Sequence, residues 1–400
     1  MRSADPYLLD LMPRLFAGRG ALRVVVRAGA PPPAVLQWWA VPSAGRARLL
    51  VPVDRPEAAV MLRRHGGGAR SGARALVAKA VRHGVAQRLP LPRVQLELPT
   101  AGADGLDRWL TRLLGAPVGV GVLLGPPRPN RKPVVQVFGT DGEVVAFVKV
   151  GADPVTGALV RREATNLGLL GKLDLTVVQL PEVLAVTRLG ELEILVLSPL
   201  TSSQQAGRAA VTVPPLAAMA EVAASQGTTT EALSGSAFWV AARHGADSVL
   251  DASVRRRLRR VMAEVDGRHG RTEVVMGSWH GDWAPWNMGL HRDRVQVWDW
   301  ERFANDVPWG MDLVHFLAQR VKVGSARQAE QQRAFLHAVP DGVRAMGPRG
   351  ATQDPTLLVL AYLVTICLRF SDPSTPTSGG AAFPRVLWAL DTAEAVLAPW

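Results

Sequence analysis

Cysteine is almost missing from these 400 residues: Cys367 is the single one. One thiol closes no intramolecular disulfide and builds no cysteine metal cluster. Its place in the apolar run from Leu357 to Leu368 marks it as a small buried hydrophobe. Long apolar runs are missing as well. That same run is the longest, and it falls short of the roughly 20 residues needed to cross a bilayer, so it reads as a buried helix. Asp10 and Arg14 interrupt the apolar residues of the N-terminus and no small-residue cleavage site follows, so no secretion signal is expected. The expectation is a soluble, cytoplasmic protein.

Acidic residues are scarce in one region. The first 100 positions hold 5 Asp and Glu against 16 Lys and Arg, whereas the other 300 hold 29 against 30. The net charge of +12 therefore belongs to the N-terminal quarter. Such a region is either a solvated arginine-rich surface or a dock for an anionic partner such as a membrane surface, a polyphosphate or an acidic glycan. The basic run Arg255-Arg256-Arg257-Leu258-Arg259-Arg260 lies on an expected helix and reads as a solvated face. No zinc-finger or RNA-binding signature accompanies it, so no nucleic acid is expected as partner.

What is present is enough apolar content, 48%, for substantial cores in more than one domain. Short β-type runs at Leu22 to Val26, Val35 to Val41 and Arg48 to Val53 read as a small meander. Helical patterns at Pro56 to Arg64 and Ala73 to Arg82 flank a glycine-rich stretch, His65 to Gly72. That stretch lacks the Gly-Lys-Ser/Thr ending of a P-loop and reads as a turn. An amphipathic helix is expected from Asp104 to Leu114, followed by strands at Val118 to Leu124, Val134 to Phe138 and Val144 to Val150. The last two are joined by Gly139-Thr140-Asp141-Gly142, a hairpin signal. A helix from about Leu159 to Leu170 and apolar runs at Thr176 to Leu180 and Ile194 to Leu197 come next. Beyond Leu200 the pattern is mostly helical, and Thr201 to Gly207 and Ser371 to Gly380 read as loops.

The stretch His280-Gly281-Asp282-Trp283-Ala284-Pro285-Trp286-Asn287, followed by Val297-Trp298-Asp299-Trp300-Glu301, carries the chemistry. Phosphoryl transfer asks little covalent participation of a protein. It asks for a held nucleotide, a placed metal and an oriented hydroxyl. Asp282, delivered into a loop after an expected strand, suits a base that accepts the hydroxyl proton. Asn287 offers a neutral oxygen and Asp299 an anionic one, the hard donors that Mg²⁺ prefers. Lys149 follows the strand run Val144 to Val148 as a compact ammonium suited to phosphates, in a chain with only five lysines. Glu163, fourteen residues on and on the expected helix, is placed to pair with it.

Together these residues resemble the aminoglycoside phosphotransferase and choline kinase family, whose fold is similar to that of protein kinases. The resemblance spans about Val118 to Phe316 and is most specific over His280 to Asn287 and Trp298 to Asp312. It implies a two-lobed α+β fold with a β-rich N-lobe, a mostly helical C-lobe and, here, an N-terminal α+β extension. The boundaries would be 1–115 for the basic extension, 116–200 for the nucleotide-binding lobe and 201–400 for the lobe with catalytic loop and acceptor site. By the same resemblance Asp282 is the base, with His280 ordering its loop, Asn287 and Asp299 bind Mg²⁺, and Lys149 contacts the α and β phosphates of ATP with Glu163 as its partner. Leu197-Ser198-Pro199-Leu200 becomes the hinge whose backbone meets adenine, and Asp312 the aspartate that braces the catalytic loop. For Asp312 the residues alone equally suit a helix N-cap before Leu313.

The turn Gly125-Pro126-Pro127-Arg128-Pro129-Asn130-Arg131-Lys132 departs from the family. It has one glycine and three prolines, and proline has no amide to offer a phosphate. Side chains of Arg128, Asn130, Arg131 or Lys132 are the expected substitutes. The function implied is an ATP- and Mg²⁺-dependent kinase acting on a hydroxyl of a small molecule: an aminoglycoside, a sugar, choline or an amino alcohol. The alternative is a pseudokinase or binding module that docks an anionic partner through its basic N-terminal region.

Overall fold

The computed structural model describes residues 5–16, 22–27, 35–55, 58, 61, 79, 83, 86–88, 91–97, 105–125, 131–200, 213–371 and 383–398. The chain divides into two compact units. The first runs over Met1–Pro127, Arg131–Ala164 and Glu182–Gly207, the second over Arg128–Asn130, Thr165–Pro181 and Arg208–Trp400. The expectation of an α+β fold, β-rich early and mostly helical late, holds.

The first unit is built on one nine-stranded antiparallel sheet in the order β1-β4-β2-β3-β5-β6-β7-β10-β9. The strands are β1 (Arg23–Arg27), β2 (Val35–Val41), β3 (Leu49–Pro52), β4 (Leu91–Glu97), β5 (Gly119–Leu123), β6 (Val134–Phe138), β7 (Val144–Gly151), β9 (Val183–Leu189) and β10 (Leu192–Leu197). Neighbours on a strand project to opposite faces, and adjacent tryptophans show it: Trp38 enters one core cluster and Trp39 the other. The Trp38 face is covered by Leu8, Leu11, Met12 and Leu15 of the helix Pro6–Leu15 and by Leu106 and Leu110 of the helix Leu106–Leu114. With both faces covered, β7 is apolar nearly throughout except at Lys149.

Residues 1–115 thus contribute four strands to the sheet that carries Lys149. The join is β3–β5, where Leu49 pairs with Leu123 and Leu50 with Val122. The sequence reading has no counterpart for β4, β9 or the helix Pro6–Leu15. That helix opens in the favoured manner, with Asp5 accepting the Tyr7 amide at 3.0 Å and proline in the first turn. The expected helices at 56–64 and 73–82 lie largely outside the described residues, as do the expected loops at 201–207 and 371–380, of which Ser371 alone is described and ends the helix Pro355–Ser371. The helix expected from Leu159 begins earlier, at Pro154, because Asp153 Oδ1 accepts the Thr156 amide and fixes its first turn.

The second unit holds two small sheets among helices. One is β11 (Thr229–Ala232), β12 (Glu273–Trp279) and β15 (Ala304–Pro308); the other is the hairpin β13 (Met288–His291) and β14 (Arg294–Val297) with β8 (Val178–Gln179) parallel to β14. The helix Pro355–Ser371 is apolar all round and buried from Leu357 to Val364, with Cys367 buried too, as expected. The basic run falls on the helix Ala252–His269, where two of its arginines form ion pairs: Arg257 with Asp391 and Glu394, and Arg259 with Asp247. Among the described residues no helix is long and apolar enough to cross a membrane.

Candidate active site

In the first unit, Lys149 on β7 reaches the helix Pro154–Leu170 and donates to both carboxylate oxygens of Glu163, at 2.5 and 2.7 Å. The pair is nearly sealed, Lys149 being 5% and Glu163 0% exposed. A bidentate contact on a buried partner fixes the ammonium in one place, which is what a phosphate-holding cation requires. Leu197, at the end of β10, and Leu200 are both buried. Arg128 and Asn130 lie outside the described residues, and Lys132 stands half-buried just before β6.

Arg131 corrects one expectation. It does not stand as a free phosphate ligand: its side chain donates to the carbonyls of Leu124 at 2.8 Å and Ala47 at 3.2 Å, and its guanidinium lies 4.5 Å from the Tyr7 ring centre. Tyr7 in turn donates its hydroxyl to the Arg131 carbonyl at 3.3 Å. The residue is a clamp tying the helix Pro6–Leu15 to the turn that precedes β6, and the buried carbonyls it satisfies are the reason.

In the second unit, β12 ends at Trp279 and delivers His280, Gly281 and Asp282 into a loop. Gly281 has φ +82°, and a Cβ there would lie 2.4 Å from the Arg302 carbonyl oxygen, so only glycine fits. His280 is fully buried. Its Nδ1 accepts the Asp282 amide at 3.1 Å, so its Nε2 carries the proton and donates to the Trp298 carbonyl at 3.1 Å. Trp300 and Trp283 meet its ring edge-on at 4.6 and 5.8 Å. Asp312 is not the N-cap of the helix Met311–Ala318, a place taken by Gly310. Its carboxylate instead accepts the amides of His280 and Gly281.

Asn287 and Asp299 are brought together by the hairpin β13–β14, whose register pairs Met288 with Val297 and bonds the Trp298 amide to the Asn287 carbonyl at 3.1 Å. Asp299 leaves the hairpin in the left-handed region, at φ 70° and ψ 52°. Such a backbone costs a non-glycine residue on the order of 1 kcal/mol and clusters at functional positions. Asn287 commits its amide nitrogen to the carbonyl and to Oδ2 of Asp282, at 2.9 and 3.0 Å, so its oxygen is the end left to act as a donor to a metal. Among the described residues no three His, Cys, Asp or Glu side chains gather as an all-protein cage. A neutral oxygen plus a single carboxylate suits Mg²⁺, which keeps several waters and takes its remaining ligands from substrate phosphates.

Three groups beside Asp282 were not expected from the sequence. His315, on the helix Met311–Ala318, sets Nε2 3.3 Å from Asp282 Oδ1. Tyr362, from the helix Pro355–Ser371, sets its hydroxyl 3.2 Å from the His315 Nδ1. Arg369, on the same helix, lies over the Trp279 ring at 5.3 Å. No spacing in the sequence marks any of them, since they come from helices 30 to 90 residues away.

The electrostatics follow from these partners. Burial raises the Asp282 carboxyl, but the His315 hydrogen bond and the charge of Arg369 outweigh it and hold the group well below the usual carboxylate range. Burial lowers His280 to about 4 and pushes His315 down as well, so both imidazoles are neutral. Burial raises Asp312 to about 7 against the two amides that favour its charge. Arg369 is pulled down by burial to about 10 and remains a cation at neutral pH. The Asp282 side chain is 37% exposed, whereas His280, His315, Asp312 and Tyr362 around it are buried.

No family model and no curated protein sequence matches the chain. Solved structures similar to it include the aminoglycoside phosphotransferase APH(4)-Ia, at 15% identity over 73% of this chain and 97% of that one, with a TM-score of 0.48. A choline/ethanolamine kinase family protein from Mesorhizobium loti is similar at 14% identity over 71% and 89%, with a TM-score of 0.40. The amicoumacin kinase hAmiN, solved with AMP-PNP, Ca²⁺ and Ami, is similar at 10% identity over 67% and 87%, with a TM-score of 0.38.

Proposed function

We propose that the protein transfers the γ-phosphoryl group of Mg²⁺-bound ATP to a hydroxyl of a small molecule, with Asp282 as the base. One observation carries this reading. The Asp282 carboxylate is gripped at both oxygens, Oδ1 by His315 and Oδ2 by Asn287, is kept ionised, and is still 37% open to solvent. A merely structural carboxylate gains nothing from that combination, whereas a base must be charged, fixed and reachable at once. In the reaction the acceptor hydroxyl gives its proton to Asp282 as its oxygen bonds to the γ-phosphorus, and the bond to the β,γ-bridging oxygen breaks to release ADP. Asn287 and Asp299 would hold Mg²⁺, which supplies neutralisation of phosphate charge. Lys149, held by Glu163, would steady the α and β phosphates.

A sugar or other neutral polyol is the favoured acceptor, because residues 101 to 400 are nearly charge-balanced and carry no excess of acidic residues to suggest a polycation. The competing reading, a binding module docking an anion through the basic first quarter, loses three of its arginines to internal contacts. Arg14 pairs with Asp10 and donates to the Ala152 carbonyl, Arg48 donates to the Gly125 carbonyl, and Arg93 is buried on Gln37 and the Trp39 ring. The deciding experiment is an acceptor screen scored by ADP release, run with wild type and Asp282→Ala. Turnover lost in the variant, with Mg·ATP still raising its melting temperature, supports the reading. Turnover retained in the variant rejects the assigned base. A wild type that Mg·ATP at millimolar concentration does not stabilise favours the binding module.

A further inference from the structure

His315 lies three residues beyond Asp312, so the two share one face of the helix Met311–Ala318. From that face Asp312 braces the loop and His315 reaches the base. The hydrogen-bond inventory of the three groups leaves little freedom. An ionised carboxylate only accepts, so the 3.3 Å contact between His315 Nε2 and Asp282 Oδ1 is attractive only if Nε2 bears a proton. A neutral imidazole has one N–H, so Nδ1 is then a lone pair, and the Tyr362 hydroxyl at 3.2 Å must donate to it. The other tautomer would set two lone pairs against each other at Asp282. The Gln319 amide nitrogen is placed 2.9 Å from the same Nε2, and turning the carboxamide by half a turn, an assignment the hydrogen-bond network decides, sets its oxygen there to accept the N–H that the Asp282 contact requires. Tyr362 and His315 are 0% and 2% exposed, so water does not relax the choice.

We propose that Tyr362 and His315 form a relay that positions Asp282: the tyrosine hydroxyl fixes the imidazole as its Nε2–H tautomer, and that N–H fixes Oδ1 of the base. The inference deepens the phosphotransferase reading and rests on it for its kinetic part. A neutral donor is suited to the task. It locks the carboxylate plane, jointly with Asn287 at Oδ2, without presenting the full charge that an arginine would set against the incoming proton. His315 and Tyr362 are positioning residues, since they act through Asp282.

The first test needs neither ATP nor an acceptor. Long-range ring ¹H–¹⁵N correlations are recorded on the full-length protein carrying ¹⁵N-labelled histidine, with the His315 signals assigned as those lost in His315→Gln. The expected result is a protonated Nε2 and a bare Nδ1 at His315, and loss of that single pattern in Tyr362→Phe. A protonated Nδ1 in the wild type, or a pattern untouched by Tyr362→Phe, overturns the proposal. The second test is kinetic, with an acceptor that supports turnover. His315→Ala should lower kcat by about 30- to 100-fold with KM for ATP within about twofold, because small misplacement of a reacting group costs on that scale. His315→Gln, which still offers an N–H, should regain about tenfold. Equal kcat in wild type and His315→Ala, while Asp282→Ala is inactive, defeats the relay and leaves the phosphotransferase reading standing. Turnover that survives Asp282→Ala defeats that reading instead.

Discussion

The carboxylate of Asp312 accepts the backbone amides of His280 at 2.7 Å and Gly281 at 3.0 Å, across 32 and 31 residues of sequence. One helix residue thereby sets the path of the loop that presents Asp282. Asp312→Ala should remove two buried hydrogen bonds and leave both amides unsatisfied, each at a cost of about 1–3 kcal/mol. The expected result is a fall in unfolding free energy of roughly 3 kcal/mol in urea titration and a loss of turnover larger than the loss of Mg·ATP binding. A variant with wild-type turnover would show that the loop does not depend on this contact.

Burial acts with opposite sign on two neighbours, which makes a pH prediction. His280 is lowered from 6.5 to about 4, so the native state resists a proton that the unfolded chain takes up. Its contribution is complete above about 6.5 and is lost as pH falls towards 4. Asp312 is raised from 3.8 to about 7, so its native form keeps a proton that the unfolded chain releases, and its contribution declines as pH rises over about 4 to 7. In the wild type the two slopes oppose one another. Asp312→Asn should leave the histidine slope unmasked, with stability falling by about 3 kcal/mol between pH 6.5 and 4. Urea midpoints measured across that range check it, and a variant with the wild-type profile would contradict it.

Removing one member of the Lys149–Glu163 pair strands a buried charge. Glu163→Ala should cost about 3–5 kcal/mol of stability and weaken Mg·ATP binding, read as a smaller melting shift. Glu163→Gln, which keeps one acceptor oxygen, should lie between the two. If Glu163→Ala bound nucleotide like the wild type, Lys149 would not be held in place by this partner.

Arg131 separates stability from nucleotide binding. Arg131→Ala leaves the carbonyls of Leu124 and Ala47 without their donor and removes the guanidinium from the Tyr7 ring, so a loss of about 2–4 kcal/mol is expected. The melting shift produced by Mg·ATP should keep its wild-type size at a temperature where the variant is folded. A shift abolished in a folded variant would return Arg131 to the phosphate site.

Much of the candidate site was legible because it is local. His280 to Asn287 is one loop, Asp299 follows one hairpin, and Lys149 and Glu163 sit on adjacent elements, so spacing and strand or helix context were enough to name them. Strands β2 and β6 matched their expected ends because an apolar run between turn residues has one reading. By contrast, β9 alternates half-buried with exposed positions at a sheet edge, with Val186 52% exposed, and gave too weak a pattern to be noticed.

The sequence by itself determined which residues carry charge, metal-type oxygens and the glycine that the loop demands, since those are properties of side chains and of neighbours a few positions apart. Only the tertiary structure decided that residues 1–115 continue the sheet bearing Lys149, that Arg131 is a clamp, and that His315 and Tyr362 stand behind Asp282. Pairing across a sheet and contact between helices depend on groups tens to hundreds of residues apart. A buried histidine and tyrosine on apolar helices look like ordinary core until folding sets their polar atoms against a carboxylate, where an unmet hydrogen bond would be costly.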